Sequence, residues 1–414
     1  MGITSSSTFD PFFMPICQLC SGPLQPLIDF GLQPVCNRYL ATPCASEFRY
    51  PLLLSQCPAD GLLQLEHPWP SHEVRPRLDW ISYKEPEHHL DDLCERIAAL
   101  PGVGLGTLIA GLSYKDTPVL SRMEAKGFKR TWNVSLKELG IQQAGAGMET
   151  IQDVLTEELG TRLSAAQGAP GVVVVRHLLE HSNSLPRTMS FLKAWAKAGG
   201  YLIVEVPDSE QTFCDLDFGT IWEEHTCYFT QFTLERAFGP FATEAIGLVR
   251  YPYSLEDCLV AIVANHPPRK SLPATGATLH VELDRGAAFK AGWQPIAARC
   301  QSALEGIRSR SGSIVIYGAG HRATTFVNLL GLQKLISCVI DDDPRKTGLH
   351  LPGCQLSIVT SRYLYEERPS LCLLAASPDS ETAIVLKNQA YVDMGGQFAS
   401  IYPRSLRAWT TLKT

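Results

Sequence analysis

The chain has 414 residues, 45% hydrophobic and 19% charged, with a formal net charge of -6. That length predicts two or three domains with ordinary hydrophobic cores. The mild acidity and scattered basic residues give no footprint for nucleic acid.

At the start, Met1 to Pro15 lacks the basic-then-apolar order of a secretory signal. No stretch approaches the roughly 20 apolar residues that span a bilayer. A cytoplasmic protein with no membrane partner is expected. Thirteen cysteines are many, but most stand singly in apolar runs such as Ser337-Cys338-Val339 and Leu371-Cys372-Leu373, where a reduced thiol behaves as a small hydrophobe.

The exception opens the chain. Cys17-Gln18-Leu19-Cys20 is a CxxC knuckle, and Cys57-Pro58-Ala59-Asp60-Gly61 has the shape of a second. Cys17, Cys20, Cys57 and Asp60 are expected to hold a structural Zn2+, since carboxylate oxygen is an acceptable fourth ligand. Cys36, Cys44 and His72 are alternatives for that fourth place. A module of residues 1–75 has little core of its own, so metal would supply folding energy.

From about residue 90 to 265, strands and helices alternate. Helices are predicted over Asp91–Leu100, Pro118–Lys126 and Leu185–Lys197. Strands are predicted over Thr107–Leu112, Phe128–Val134, Gly171–Val175 and Tyr201–Val206. The unbroken valines read as a buried parallel strand. This is the rhythm of a doubly wound α/β domain, here residues 76–268, whose ligands sit beyond the carboxyl ends of the strands. The residues there are Gly111 to Thr117, Asn133, Arg176 to His181, Glu205 and Asp208. Downstream comes Trp222-Glu223-Glu224-His225-Thr226-Cys227-Tyr228-Phe229. Gly102-Val103-Gly104-Leu105-Gly106 spells a glycine motif on the wrong side of its strand, so it reads as a loop.

After Pro267-Pro268 the pattern restarts in a third unit, residues 269–414. A helix is predicted over Ala287–Arg308 and a strand over Ser313–Tyr317. Gly318-Ala319-Gly320-His321-Arg322-Ala323 then leads into a helix. A second strand, Leu335–Ile340, ends at Asp341-Asp342-Asp343. This is a GxGxxA fingerprint in the right setting, and alone it says dinucleotide.

Taken together these segments resemble the nucleotide-sugar C-methyltransferases. The resemblance rests on Cys17-x2-Cys20, Gly31-Leu32-Gln33-Pro34 and Cys57-Pro58-x2-Gly61-Leu62-x-Gln64-Leu65 for a zinc module. It rests on His177-x2-Glu180-His181, Glu205-Val206-Pro207 and Glu224-His225-x2-Tyr228-Phe229 for a central domain. It implies α/β architecture: a methyltransferase-like doubly wound domain between a small zinc module and a C-terminal Rossmann-like domain. It implies S-adenosylmethionine as cofactor and a nucleotide-sugar-like small molecule as substrate. The implied reaction is C-methylation beside a keto group: a base takes the α-proton and polar groups hold the oxyanion.

Carried over by position, His225 is the base, Glu224 orients it, and His181 and Tyr228 hydrogen-bond substrate. Tyr83 falls near an aromatic substrate contact. Gly111, Ser113, Asp116, Asn133 and His177 would line the cofactor. The family's C-terminal domain uses no nicotinamide and helps hold the nucleotide-sugar, for which His321 and Arg322 at a helix start suit a phosphate.

Two departures stand out. The family's glycine-rich first loop keeps only Gly111, and the expected acid after the second strand is Asn133. They leave open a relative without methyl transfer, either an NAD(P)- or nucleotide-binding oxidoreductase or isomerase working through the Gly318 loop, or a non-catalytic binder.

Overall fold

The β-branched runs of the sequence become the buried strands of three sheets. A computed structural model of the chain describes residues 15–78, 81, 85–142, 152–241, 243–266 and 276–412. The predicted Pro267-Pro268 linker and Tyr83 lie outside these.

The N-terminal strands are β1 (Gln25–Pro34), β2 (Arg49–Gln56) and β3 (Leu63–Leu65). The central strands are β4 (Leu108–Gly111), β5 (Arg130–Asn133), β6 (Val172–Arg176) and β7 (Tyr201–Pro207). Then come β8 (Cys227–Tyr228), β9 (Glu244–Tyr251) and β10 (Cys258–Ala264). The last five are β11 (Ile314–Tyr317), β12 (Cys338–Ile340), β13 (Ile358–Val359), β14 (Leu371–Leu374) and β15 (Gln397–Ser400).

The central sheet runs β5-β4-β6-β7-β10-β9. Its first four strands are parallel, and β10 is antiparallel to both neighbours. Alternate valines of β6 face opposite ways. Val173 and Val175 pack with helices Glu157–Gln167 and Leu185–Trp195. Val172 and Val174 pack with helices Leu90–Ala98 and Thr117–Ala125. Both faces are covered, which is why the strand reads as a continuous apolar run.

The C-terminal sheet is wholly parallel in the order β13-β12-β11-β14-β15. That is the Rossmann order, with its switch point beside β11.

Two features tie the modules together. The N-terminal sheet takes its fourth strand, β8, from the central segment, pairing Leu63 with Tyr228. The helix predicted at 287–308 is longer, Gly276–Ser311, 36 residues. It touches every module in turn. Glu282 fills the space beside Gly61 and its carbonyl accepts from Gln56. Phe289 meets Phe213 edge-on and Phe218 at a tilt, Trp293 meets Phe30 and Phe218 edge-on, and Cys300 and Leu304 enter the C-terminal core. Among the described residues no helix is long and apolar enough to cross a membrane.

Candidate active site

The zinc knuckles close as spacing demanded. Cys17, Cys20, Cys57 and Asp60 bring their ligand atoms within 4.8 Å of one another. Cys20 and Cys57 sulfurs are 3.6 Å apart, and an Asp60 carboxylate oxygen lies 3.5 Å from Cys17 Sγ and 3.4 Å from that of Cys57. Tetrahedral bonds of about 2.3 Å set sulfurs roughly 3.8 Å apart, so the cluster fits zinc. Backbone N–H groups of Leu19, Gly22 and Asp60 point at the three sulfurs, which supports thiolate charge. Cys36 lies elsewhere, donating to Glu223.

At the carboxyl ends of the central strands lies a buried lattice of charge. Arg176 grips Glu205 with two bonds of 2.7 and 2.9 Å and caps the carbonyls of Lys115 and Pro86. His177, at φ 51°, touches Glu180 and Glu205 at 3.1 Å and Glu85 at 3.4 Å. Burial opposes charge on this ring, but the Glu85, Glu180 and Glu205 carboxylates outweigh it and hold its pKa well above the ordinary value. His177 thus belongs to this lattice.

The first loop is also turned inward. Asp116 is fully buried. One of its oxygens takes the N–H groups of Leu112 and Ser113, the other that of Arg176. Ser113 Oγ accepts from the Lys115 amide. A Cβ on Gly111 would stand 2.7 Å from that of Asp116, so the glycine is needed for packing. Asp116 and Ser113 therefore staple the loop.

Asn133 differs. Its Nδ2 donates to Ser113 and Thr117, while its buried Oδ1 has no hydrogen-bond partner. That orphaned acceptor sits at the end of β5, where a ribose hydroxyl would find it. Glu180 Oε2 is likewise buried and unpartnered, an acceptor for an ammonium group. The residues fit S-adenosylmethionine at these two points.

Next to Glu180 lies the segment from Trp222 to Tyr228. Thr226, which sequence reasoning passed over, pins it there by bonding to the carbonyls of Glu180 and Ser182. His181 and His225 meet edge to face at 4.8 Å. Burial, then each ring's histidine neighbour (His225 for His181, His321 for His225), pushes both pKa values well below the ordinary value. Both are neutral near pH 7, and His225 stays partly exposed.

Two neighbouring side chains hold the segment in place. The Glu224 side chain reaches Asn37 of the N-terminal module at 2.9 Å, so it braces the cleft wall; its carbonyl holds His181 Nδ1 at 2.9 Å. The Tyr228 hydroxyl points at the Trp222 backbone, 3.2 Å from its N–H, so it holds the corner that carries His225.

The C-terminal loop reaches the same segment. His321 stacks on Trp222 at 4.4 Å. Arg322, expected on a phosphate, is buried, paired with Asp217 at 2.5 Å and laid over Tyr402. Asp341, the first of the three acids after β12, accepts the Ala319 N–H and pairs with Lys346. Tyr39 donates to the Ala319 carbonyl at 2.6 Å.

Comparisons with known proteins follow the same three units. Residues 17–74 match the zinc binding domain of methyltransferases, 113–241 a methyltransferase domain and 277–403 the C-methyltransferase C-terminal domain. C-methyltransferase NovU of Streptomyces niveus is 24% identical over 283 residues, 64% of this chain and 66% of its own length. Among solved structures, 1,6-didemethyltoxoflavin-N1-methyltransferase of Burkholderia thailandensis is 11% identical with TM-score 0.31, covering 44% of this chain and 79% of that one. Magnesium protoporphyrin IX methyltransferase of Synechocystis PCC 6803 is 9% identical with TM-score 0.28, covering 45% and 90%. The three matched domains follow one another along the chain in that order, and the match to NovU spans just under two thirds of that relative's length.

Proposed function

We propose that this chain methylates a carbon beside the keto group of a nucleotide-linked sugar or a similar polar intermediate, in the cytosol. One observation carries the reading: a partly exposed His225 set edge to face against the buried His181 at the strand ends, where burial pushes both pKa values below the ordinary one. His225 takes the α-proton; a base must be unprotonated at working pH, and burial among cations keeps it so. Asn37 and the Trp222 corner fix the loop that carries it. Asn133 and Glu180 would hold the cofactor, which when bound supplies an electrophilic methyl group to the carbanion so formed. The Arg176–Glu205 lattice keeps these strand ends rigid. Unpaired cysteines throughout the chain favour a reducing compartment.

The test is transfer of labelled methyl from S-adenosylmethionine to a panel of nucleoside-diphosphate keto-sugars. His225→Gln keeps the fold, as circular dichroism should report, and loses about 10²- to 10⁴-fold in rate. An unimpaired variant sinks the reading. A second reading, enolisation without methyl transfer, draws on the inward-turned loop from Leu112 to Asp116. Calorimetry separates the two: absence of heat at millimolar S-adenosylmethionine favours the second.

A further inference from the structure

A proton and a metal ion compete for the same lone pair on an imidazole, and His225 does not stand alone. One ligand atom each from Glu180, His181 and His225 lies within 4.8 Å of the other two. Two imidazoles and one carboxylate are a donor set that zinc takes in its open sites, with three protein ligands and one exchangeable position.

The two buried members are already oriented from behind. His181 Nδ1 faces the Glu224 carbonyl at 2.9 Å. A carbonyl only accepts, so Nδ1 carries the proton and Nε2 carries the lone pair. A ring N–H set on a backbone carbonyl is the support that metal-binding imidazoles commonly have. That Nε2 stands 3.9 Å from Glu180 Oε1. Glu180 Oε1 is held by His177 at 3.1 Å, while Oε2 is buried with no hydrogen-bond partner, on a residue only 2% exposed. A buried oxygen left bare is costly, and a cation relieves that cost. His225 is the partly exposed member, so an ion from solvent meets it first.

We propose that Glu180, His181 and His225 form a second zinc site, and that Zn2+ bound there blocks proton removal. The inhibition rests on the reading of His225 as base; the binding does not. A neutral imidazole has one bare nitrogen. The Zn–N bond takes that electron pair, and the substrate's α-proton then has no acceptor. The same ion occupies Glu180 Oε2, so Zn2+ and the ammonium group of S-adenosylmethionine exclude each other. The knuckle differs in kind. Its three sulfurs and one carboxylate make a closed set that suits zinc better than two imidazoles and a carboxylate, so the second site fills last and empties first.

The test starts from the full chain with its knuckle loaded. Calorimetric titration with Zn2+ should show one further site, weakened when S-adenosylmethionine is added first. Glu180→Gln and His181→Gln should each weaken it by more than about tenfold. Crystals soaked in zinc should carry anomalous density between the three side chains, a reading that needs no variant. Deuterium entry beside the keto group of a nucleoside-diphosphate keto-sugar in D2O should fall about 10²-fold or more as the site fills. Absence of both the added heat and the density overturns the site. Exchange that continues unchanged, or quickens, at full occupancy overturns the inhibition. Exchange absent from the wild type before zinc is added overturns the His225 reading and the inhibition with it, while heat and density still decide the site.

Discussion

Glu223 enters the cleft wall with Cys36 as its partner, the Cys36 N–H at 2.5 Å and its thiol at 3.1 Å. Burial raises its pKa from 4.5 to about 7. The charged or titratable groups around it are Cys36, Arg38, Glu224 and Tyr228. A carboxyl whose folded pKa exceeds its unfolded one stabilises the fold in its protonated form. Its contribution is therefore present below about pH 4.5 and is lost as pH rises towards 7. Glu223→Gln mimics the protonated acid, so the variant should lose this decline. Urea unfolding at pH 5 and pH 8 measures it; a pH difference equal to the wild type's would refute the assignment. Side chains such as Glu224 and His225 were legible from their motif. The pairing of Glu223 with Cys36 and of Glu224 with Asn37 was not, because each pair stands 187 residues apart in sequence and no local pattern links them.

Strands and helices came through well where composition was strong. The valine run of β6 and the Leu185 helix lie within a residue or two of expectation. The first loop did not, since glycine count predicted an opened or closed pocket and said nothing of Asp116 folding back onto its own backbone. That depends on Arg176, whose N–H reaches Asp116 only once β6 lies beside β4. The knuckles were the most legible element of all, because turn geometry alone aims their ligands. Elemental analysis should find one zinc per chain. Cys57→Ser should release it and lower the melting temperature. Asp60→Cys would complete a four-thiolate site and hold the metal longer against a chelator. Purified protein that lacks zinc and ignores chelators would argue against a structural ion.

Across the whole molecule, the C-terminal fingerprint was read correctly as a Rossmann turn, but the sequence could not show what fills it. The filler comes from the N-terminal module: Tyr39 bonds the Ala319 carbonyl while Lys346 lies over its ring. Tyr39→Phe keeps the ring and drops the bond. It should speed amide hydrogen exchange around residues 318–322 without binding NADH, as fluorescence would report; unchanged exchange would mean the latch holds nothing. The long helix Gly276–Ser311 has a different consequence. At 1.5 Å per residue it is a strut of about 54 Å, and each residue turns it by about 100°. One codon gained or lost between Gly292 and Cys300 would swing the C-terminal domain by more than a quarter turn and carry His321 off Trp222. The length of that helix is thereby locked to the phase of its own turns.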